Sequence, residues 1–175
     1  MDIAERIRRT TRDIPDFPSP GIVFKDFTTV MKDPALLRDI IKELASFHKA
    51  EKPDYIIGIE SRGFIFGAPL AIELGCGFVP VRKRGKLPYK CIRTSYSLEY
   101  GEAVIEMHED ALEAGSKVVI VDDILATGGT IRAAMSLSTQ LSAQILATDF
   151  IAELAFLKGR SKITGCAVNS LCVFD

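Results

Sequence analysis

The sequence contains no long apolar run. None of its hydrophobic stretches approaches the roughly 20 residues that a membrane helix needs, so a helical membrane protein is excluded as a reading. Its opening residues, M-D-I-A-E-R-I-R-R, have no apolar signal-peptide core. An excess of charge is missing too: 22 Lys and Arg against 23 Asp and Glu leave a formal net charge of -1. Nothing in the bulk charge then draws the chain to nucleic acid or to a membrane surface, and any anion site must be local. Cys76, Cys91, Cys166 and Cys172 lack C-x-x-C spacing, and only His48 and His108 could join them around a metal. That pattern predicts reduced thiols in a cytoplasmic protein. Repeats, low-complexity tracts and linkers are absent, as are the phosphate-binding patterns G-x-x-x-x-G-K-[ST] and G-x-G-x-x-G. The 175 residues, 47% hydrophobic and 26% charged, fit one soluble domain spanning residues 1–175.

What is present centres on residues 117–130, K-V-V-I-V-D-D-I-L-A-T-G-G-T. The unbroken β-branched run at 118–121 predicts a strand buried on both faces, as in the middle of a parallel sheet. Asp122 and Asp123 follow it, then a loop of small residues, Ala126, Thr127, Gly128, Gly129 and Thr130. Ile131, Ala134, Met135, Ser138 and Leu141 then recur at helical spacing. Glycines let a ligand approach the backbone, and successive amides at a helix start can converge on an anion. A cradle without lysine suits a single phosphate monoester. The two aspartates would repel a phosphate placed on them, so they read as acceptors for sugar hydroxyls beside it, or as outer support for a metal. A plain glycine turn with two aspartates facing water is the competing structural reading.

The rest of the chain repeats this grammar. Residues 55–59 form an apolar run that ends in Glu60, Ser61, Arg62 and Gly63 and is followed by a helical pattern over 64–74. Two strand–loop–helix units argue for a mainly parallel central sheet flanked by helices, with ligands at the carboxyl ends of the strands. Residues 78–81 predict a further strand, and R-K-R-G-K-L-P after it packs four basic side chains, including Arg82, Lys83 and Lys86, into five residues. Upstream, residues 2–13 could form a short helix, and D-I-P-D-F-P-S-P-G excludes regular structure. Asp33-Pro34 starts a helix whose apolar face is Leu36, Leu37, Ile40, Ile41, Leu44 and Phe47, with His48 at its surface or boundary. Residues 89–110 lack helical periodicity and suggest a hairpin with few core residues, able to move as a lid. Residues 145–151 and 166–174 predict two more strands, and Glu153, Leu154 and L-K-G-R around Gly159 are assigned to scaffold.

The run V-V-I-V-D-D-I-L-A-T-G-G-T resembles the phosphoribosyl-pyrophosphate signature of the type I phosphoribosyltransferases, and its wording D-D-I-L-A-T-G-G-T resembles the adenine-specific branch. E-S-R-G-F and R-K-R-G-K-L-P are similar to that family's two pyrophosphate segments, F-P-S-P-G-I-V-F-K-D to the segment covering the base, and S-Y-S-L-E-Y-G to its catalytic loop. The likeness spans residues 17–160, with every ligand segment in order. It implies a small N-terminal hood at about residues 1–30 and a flexible hairpin lid at about 89–110. It implies that Phe24 stacks on adenine while backbone groups of Val23 and Lys25 meet its polar edge, with Ile124 and Leu125 also at the base. It further implies 5′-phosphate at 126–130, ribose hydroxyls on Asp122 and Asp123, and pyrophosphate at Glu60, Ser61, Arg62, Gly63, Arg82, Lys83 and Lys86. Arg82 would partly serve a neighbouring subunit, which makes a homodimer. Glu99 would move the purine proton and Tyr100 close over the reaction centre, with Mg²⁺ held mainly by substrate.

Two other classes remain open on sequence. A sister enzyme could use a 6-oxopurine, although the Val23-Phe24-Lys25 segment supplies no lysine directed at such an oxygen. A non-enzymatic sensor of phosphoribosyl pyrophosphate would need a partner- or DNA-binding module, and residues 1–16 are too short for a helix-turn-helix.

Overall fold

In the computed structural model, which describes residues 1–97 and 102–175, the short apolar runs are neighbouring strands of one sheet. Seven strands lie in the order β5-β6-β4-β3-β7-β8-β9. These are β3 (Tyr55–Ile59), β4 (Gly77–Lys83), β5 (Cys91–Ser97), β6 (Glu102–His108), β7 (Lys117–Leu125), β8 (Gln144–Leu154) and β9 (Ala167–Phe174). β3, β4, β7, β8 and β9 pair in parallel, and the β5–β6 hairpin joins antiparallel through β4. The runs are unbroken because both faces are covered. Along β7, Val119 and Val121 pack into one core with helices α3 (Pro34–His48) and α4 (Arg62–Leu74), while Val118 and Ile120 enter a second core with α5 (Gly129–Gln140). Period-2 alternation thus feeds apolar side chains to both layers.

This order places the site. From β3 the chain crosses to β4 on one side, while β7, β8 and β9 extend on the other. The loops after β3 and β7 therefore open side by side at the point where the direction of strand addition reverses, the usual ligand crevice of such sheets. Gly63 makes that proximity possible: a Cβ there would stand 2.7 Å from the Val121 carbonyl oxygen and 3.2 Å from Asp122 Oδ1.

Several expectations needed correction. Helix α1 (Ile3–Thr10) forms, capped by Asp2 and burying Ile7, but it ends at Thr10, short of the expected residue 13. However, β1 (Arg12–Pro15) is a strand that takes the end of the expected helix and the start of the segment expected to be irregular, and it pairs antiparallel with β2 (Val23–Asp26) in a separate two-stranded sheet. Pro15 is tolerated because it ends an edge strand. The short helix α2 (Thr28–Lys32) follows. The hairpin base is less detachable than a lid of few core residues: Ile105 and Met107 are buried, and β6 pairs with β4. Strand β4 runs two residues further than predicted, so Arg82 and Lys83 belong to it.

His48 is not at the surface. It is 1% exposed, with Nε2 2.6 Å from Asp149 Oδ2 and Nδ1 3.3 Å from Glu51. Burial disfavours its charge, but the hydrogen bonds and charges of Asp149 and Glu51 outweigh that and raise its pKa above 6.5. Because the folded value lies above the unfolded one, the resulting stabilisation is complete below pH 6.5 and is lost as pH rises through the folded value. The urea midpoint should therefore fall across that window, and His48→Gln should flatten this part of the profile. An identical slope in the variant would remove His48 as its source.

Candidate active site

Two cavities meet at the crevice. One is lined by Asp122, Ile124, Leu125, Ala126, Thr127, Gly128, Gly129, Thr130 and Ile131, with Phe150 at its back. The other is lined by Glu60, Ser61, Arg62, Lys83, Tyr96, Asp122, Asp123 and Thr130. Asp122 and Thr130 belong to both, so one elongated ligand can occupy the two together. The first cavity is the glycine loop itself: Gly128 adopts φ +82°, a backbone that favours glycine, and α5 starts at Gly129. Helix start and loop amides together make an anion cradle.

The second cavity holds acids and bases within contact distance. Arg62 Nε donates to Asp123 Oδ2 in a short ion pair. Asp122 is pushed well above the usual carboxylate range, first by burial and then by the adjacent charge of Asp123. Glu60 accepts the Lys83 backbone N–H at 3.0 Å and lies 3.3 Å from Arg82 Nε. Burial pushes its carboxyl up, but these donors more than offset it and hold Glu60 below the ordinary range. Four residues predicted separately for pyrophosphate, Glu60, Ser61, Arg62 and Lys83, thus share one wall with Asp122 and Asp123.

Other predicted residues sit nearby. The Arg62 guanidinium stands 5.8 Å from the centre of the Phe24 ring, which Phe17 meets edge-on at 5.3 Å. The β1–β2 ribbon is thereby brought over the crevice. The Lys25 ammonium turns away: it bonds both oxygens of Asp13, at 2.7 and 2.9 Å, and lies 4.7 Å from the Phe174 ring centre. Only backbone of Lys25 is left to face a base, and Val23 is half exposed. Ile124 and Leu125 end β7 and line the first cavity. Arg82 and Lys86 do not line either cavity; Arg82 Nη1 donates to the Lys86 carbonyl at 3.0 Å. Glu99 and Tyr100 lie outside the described residues.

Sequence reasoning missed two contributors. Tyr96 reaches the second cavity from β5; it lies inside the S-Y-S-L-E-Y-G segment, of which only Glu99 and Tyr100 were given roles. Glu106 is fully buried in β6, accepting the backbone N–H groups of Lys86 and Leu87 at 3.1 Å and Arg93 Nε at 2.9 Å. Burial pushes Glu106 up, but Arg93 and the turn amides prevail and keep it ionised below its usual range. It fixes the basic turn from beneath. An acid inside an otherwise apolar strand was the available signal.

The family model of the phosphoribosyl transferase domain matches residues 28–161. The chain is also 55% identical, over 158 residues, to the adenine phosphoribosyltransferase of Natranaerobius thermophilus, with 90% of this chain and 92% of that one covered. The chain belongs to the adenine phosphoribosyltransferase family. Among solved adenine phosphoribosyltransferases, that of Thermoanaerobacter pseudethanolicus matches with TM-score 0.94 and 49% identity, covering 98% of this chain and 99% of that one. The Saccharomyces cerevisiae adenine phosphoribosyltransferase, complexed with adenine and an imino-altritol bisphosphate, matches with TM-score 0.92 and 46% identity over 97% and 98% of the two chains. The domain match begins after β2, so α1 and the β1–β2 ribbon rest on the whole-chain adenine phosphoribosyltransferase matches instead.

Proposed function

We propose that the protein joins adenine to 5-phosphoribosyl 1-pyrophosphate, giving AMP and pyrophosphate in purine salvage. The observation that carries this reading is the pair of cavities sharing Asp122 and Thr130, one an amide cradle and the other lined by bases and acids. A sugar with a phosphate at one end and a pyrophosphate at the other matches both. The 5′-phosphate sits in the loop of Ala126, Thr127, Gly128, Gly129 and Thr130, and Asp122 and Asp123 accept the ribose hydroxyls. As the bond from C1′ to pyrophosphate breaks, positive charge grows at the sugar and negative charge on the leaving group. The two aspartates favour the first; Arg62 and Lys83 favour the second.

Among the described residues no group of three acidic or histidine side chains could hold a metal by itself, so Mg²⁺ would be held mainly by substrate oxygens and water, with Asp122 and Asp123 of the second cavity as outer support. When bound, Mg²⁺ neutralises part of the leaving group's charge. Arg62 must leave Asp123, at least in part, to reach the pyrophosphate, and the ribose hydroxyls then take up the freed carboxylate. Arg82, engaged by its own chain's Glu60, shapes the Lys83 wall; its reach into a neighbouring subunit belongs to a homodimer, the assembly that we propose for the cytoplasmic enzyme. Adenine stacks on Phe24, and Glu99 handles the proton that its imidazole nitrogen releases on attacking C1′, with Tyr100 closing over the reaction centre.

The base preference is directly testable. Incubated with Mg²⁺, phosphoribosyl pyrophosphate and each purine in turn, the protein should make AMP from adenine and little monophosphate from hypoxanthine, guanine or xanthine. Preference for a 6-oxopurine would overturn the adenine assignment. The Lys25 ammonium, tied to Asp13 and Phe174, argues against that second reading.

A further inference from the structure

The segment after β8, assigned from sequence to scaffold, lies against the back of the phosphate cradle. A Cβ on Gly159 would stand 2.1 Å from the Ala126 carbonyl oxygen and 3.1 Å from Gly128 N, so backbone meets backbone with no room for a side chain. Reciprocally, a Cβ on Gly128 would meet the Gly159 carbonyl oxygen at 3.0 Å. Arg160 pins this wall. Its Nε lies 3.1 and 3.0 Å from the two oxygens of Glu153, Nη2 reaches Ser170 Oγ at 3.1 Å, and Nη1 donates to the Val168 carbonyl at 2.7 Å. Glu153 is 5% exposed and also accepts from Ser170 Oγ at 3.0 Å. The guanidinium is thus fastened to both β8 and β9. Two residues on, the exposed Lys162 donates from Nζ to the Thr127 carbonyl at 2.9 Å.

That last contact bears on the cradle's chemistry. In a planar trans peptide the carbonyl and the amide point in opposite directions. Holding the Thr127 carbonyl from outside the cavity therefore aims the Gly128 amide the other way. A cation on the carbonyl also polarises the peptide and strengthens its N–H as a donor. Glycine-rich backbone is costly to order, so a wall that holds it before the ligand arrives lowers the cost of binding. We propose that Arg160 and Lys162 are positioning residues for phosphate recognition: Arg160 sets the Gly159 wall behind the loop, and Lys162 orients the peptide between Thr127 and Gly128. The inference rests on the placement of the 5′-phosphate in that loop.

Calorimetry with ribose 5-phosphate, which needs the loop, and with Mg²⁺-pyrophosphate, which needs the other cavity, tests it. Arg160→Met should weaken ribose 5-phosphate by about 10–100-fold, the scale of a small misplacement of binding groups. Lys162→Met should weaken it by about 2–10-fold, the worth of one hydrogen bond. Pyrophosphate affinity should stay within about twofold in both, a selectivity that general destabilisation would not produce. Equal loss for both ligands, or no loss for either, overturns the proposal. Should Arg160→Met not fold, the surface variant Lys162→Met decides alone, and unchanged ribose 5-phosphate affinity overturns it. Gly129→Val separates the two levels. If it abolishes ribose 5-phosphate binding while the other variants are silent, only this inference falls; if it too is silent, the phosphate placement falls with it.

Discussion

Turnover is expected to fall by roughly 10²–10⁴-fold when Glu99 is replaced by glutamine, the usual contribution of a positioned general acid or base. The proposed reaction makes a bond from an adenine nitrogen to C1′, and the proton on that imidazole must go to an acceptor. Glutamine keeps the shape and the hydrogen bonding of glutamate but cannot take the proton. Binding of phosphoribosyl pyrophosphate should change little, because Glu99 is assigned to the base and not to the sugar. Steady-state kcat together with calorimetric Kd checks both halves, and unchanged turnover would remove Glu99 from the mechanism. Loss of affinity with kcat intact would make it a binding residue instead.

The second large effect is on affinity. Gly129 begins α5 and lines the cradle. A valine there puts a branched side chain where the phosphate is proposed to sit. Losing two charge-assisted hydrogen bonds at about 1.5–3 kcal/mol each costs about 3–6 kcal/mol, or roughly 10²–10⁴-fold in Kd. Phosphoribosyl pyrophosphate and AMP should both weaken by that order, while adenine alone should not. Calorimetry showing intact AMP binding in Gly129→Val would displace the phosphate from this loop.

The site was legible where its parts are contiguous in sequence. The acids, the glycine loop and the helix start follow one another from 122 to 131, and local backbone chemistry alone makes them a candidate anion site. E-S-R-G was legible for the same reason, as a loop between a buried strand and a helix. His48 was misread because helical periodicity gives the face of a residue but not what packs there: Asp149, 101 positions away, supplies the partner that makes its burial tolerable. The β1 strand was misread because prolines were weighed as breakers, whereas an edge strand of a two-stranded ribbon leaves one side of its backbone free of pairing. Glu106 and Tyr96 were passed over for a related reason, since each matters through what another strand or turn brings to it.

By itself, then, the order of residues determined the alternation of buried strands and helices, the mainly parallel central sheet and which donors and acceptors each candidate loop carries, because strand burial and loop composition are properties of short segments. Folding in three dimensions decided which loops share a wall, that Arg62 reaches Asp123, that Glu60 takes Arg82 within one chain, and that Gly159, Arg160 and Lys162 stand behind the cradle. Those facts depend on strand order and on backbone approaches between segments far apart in the chain, and no local pattern encodes a distance of that kind.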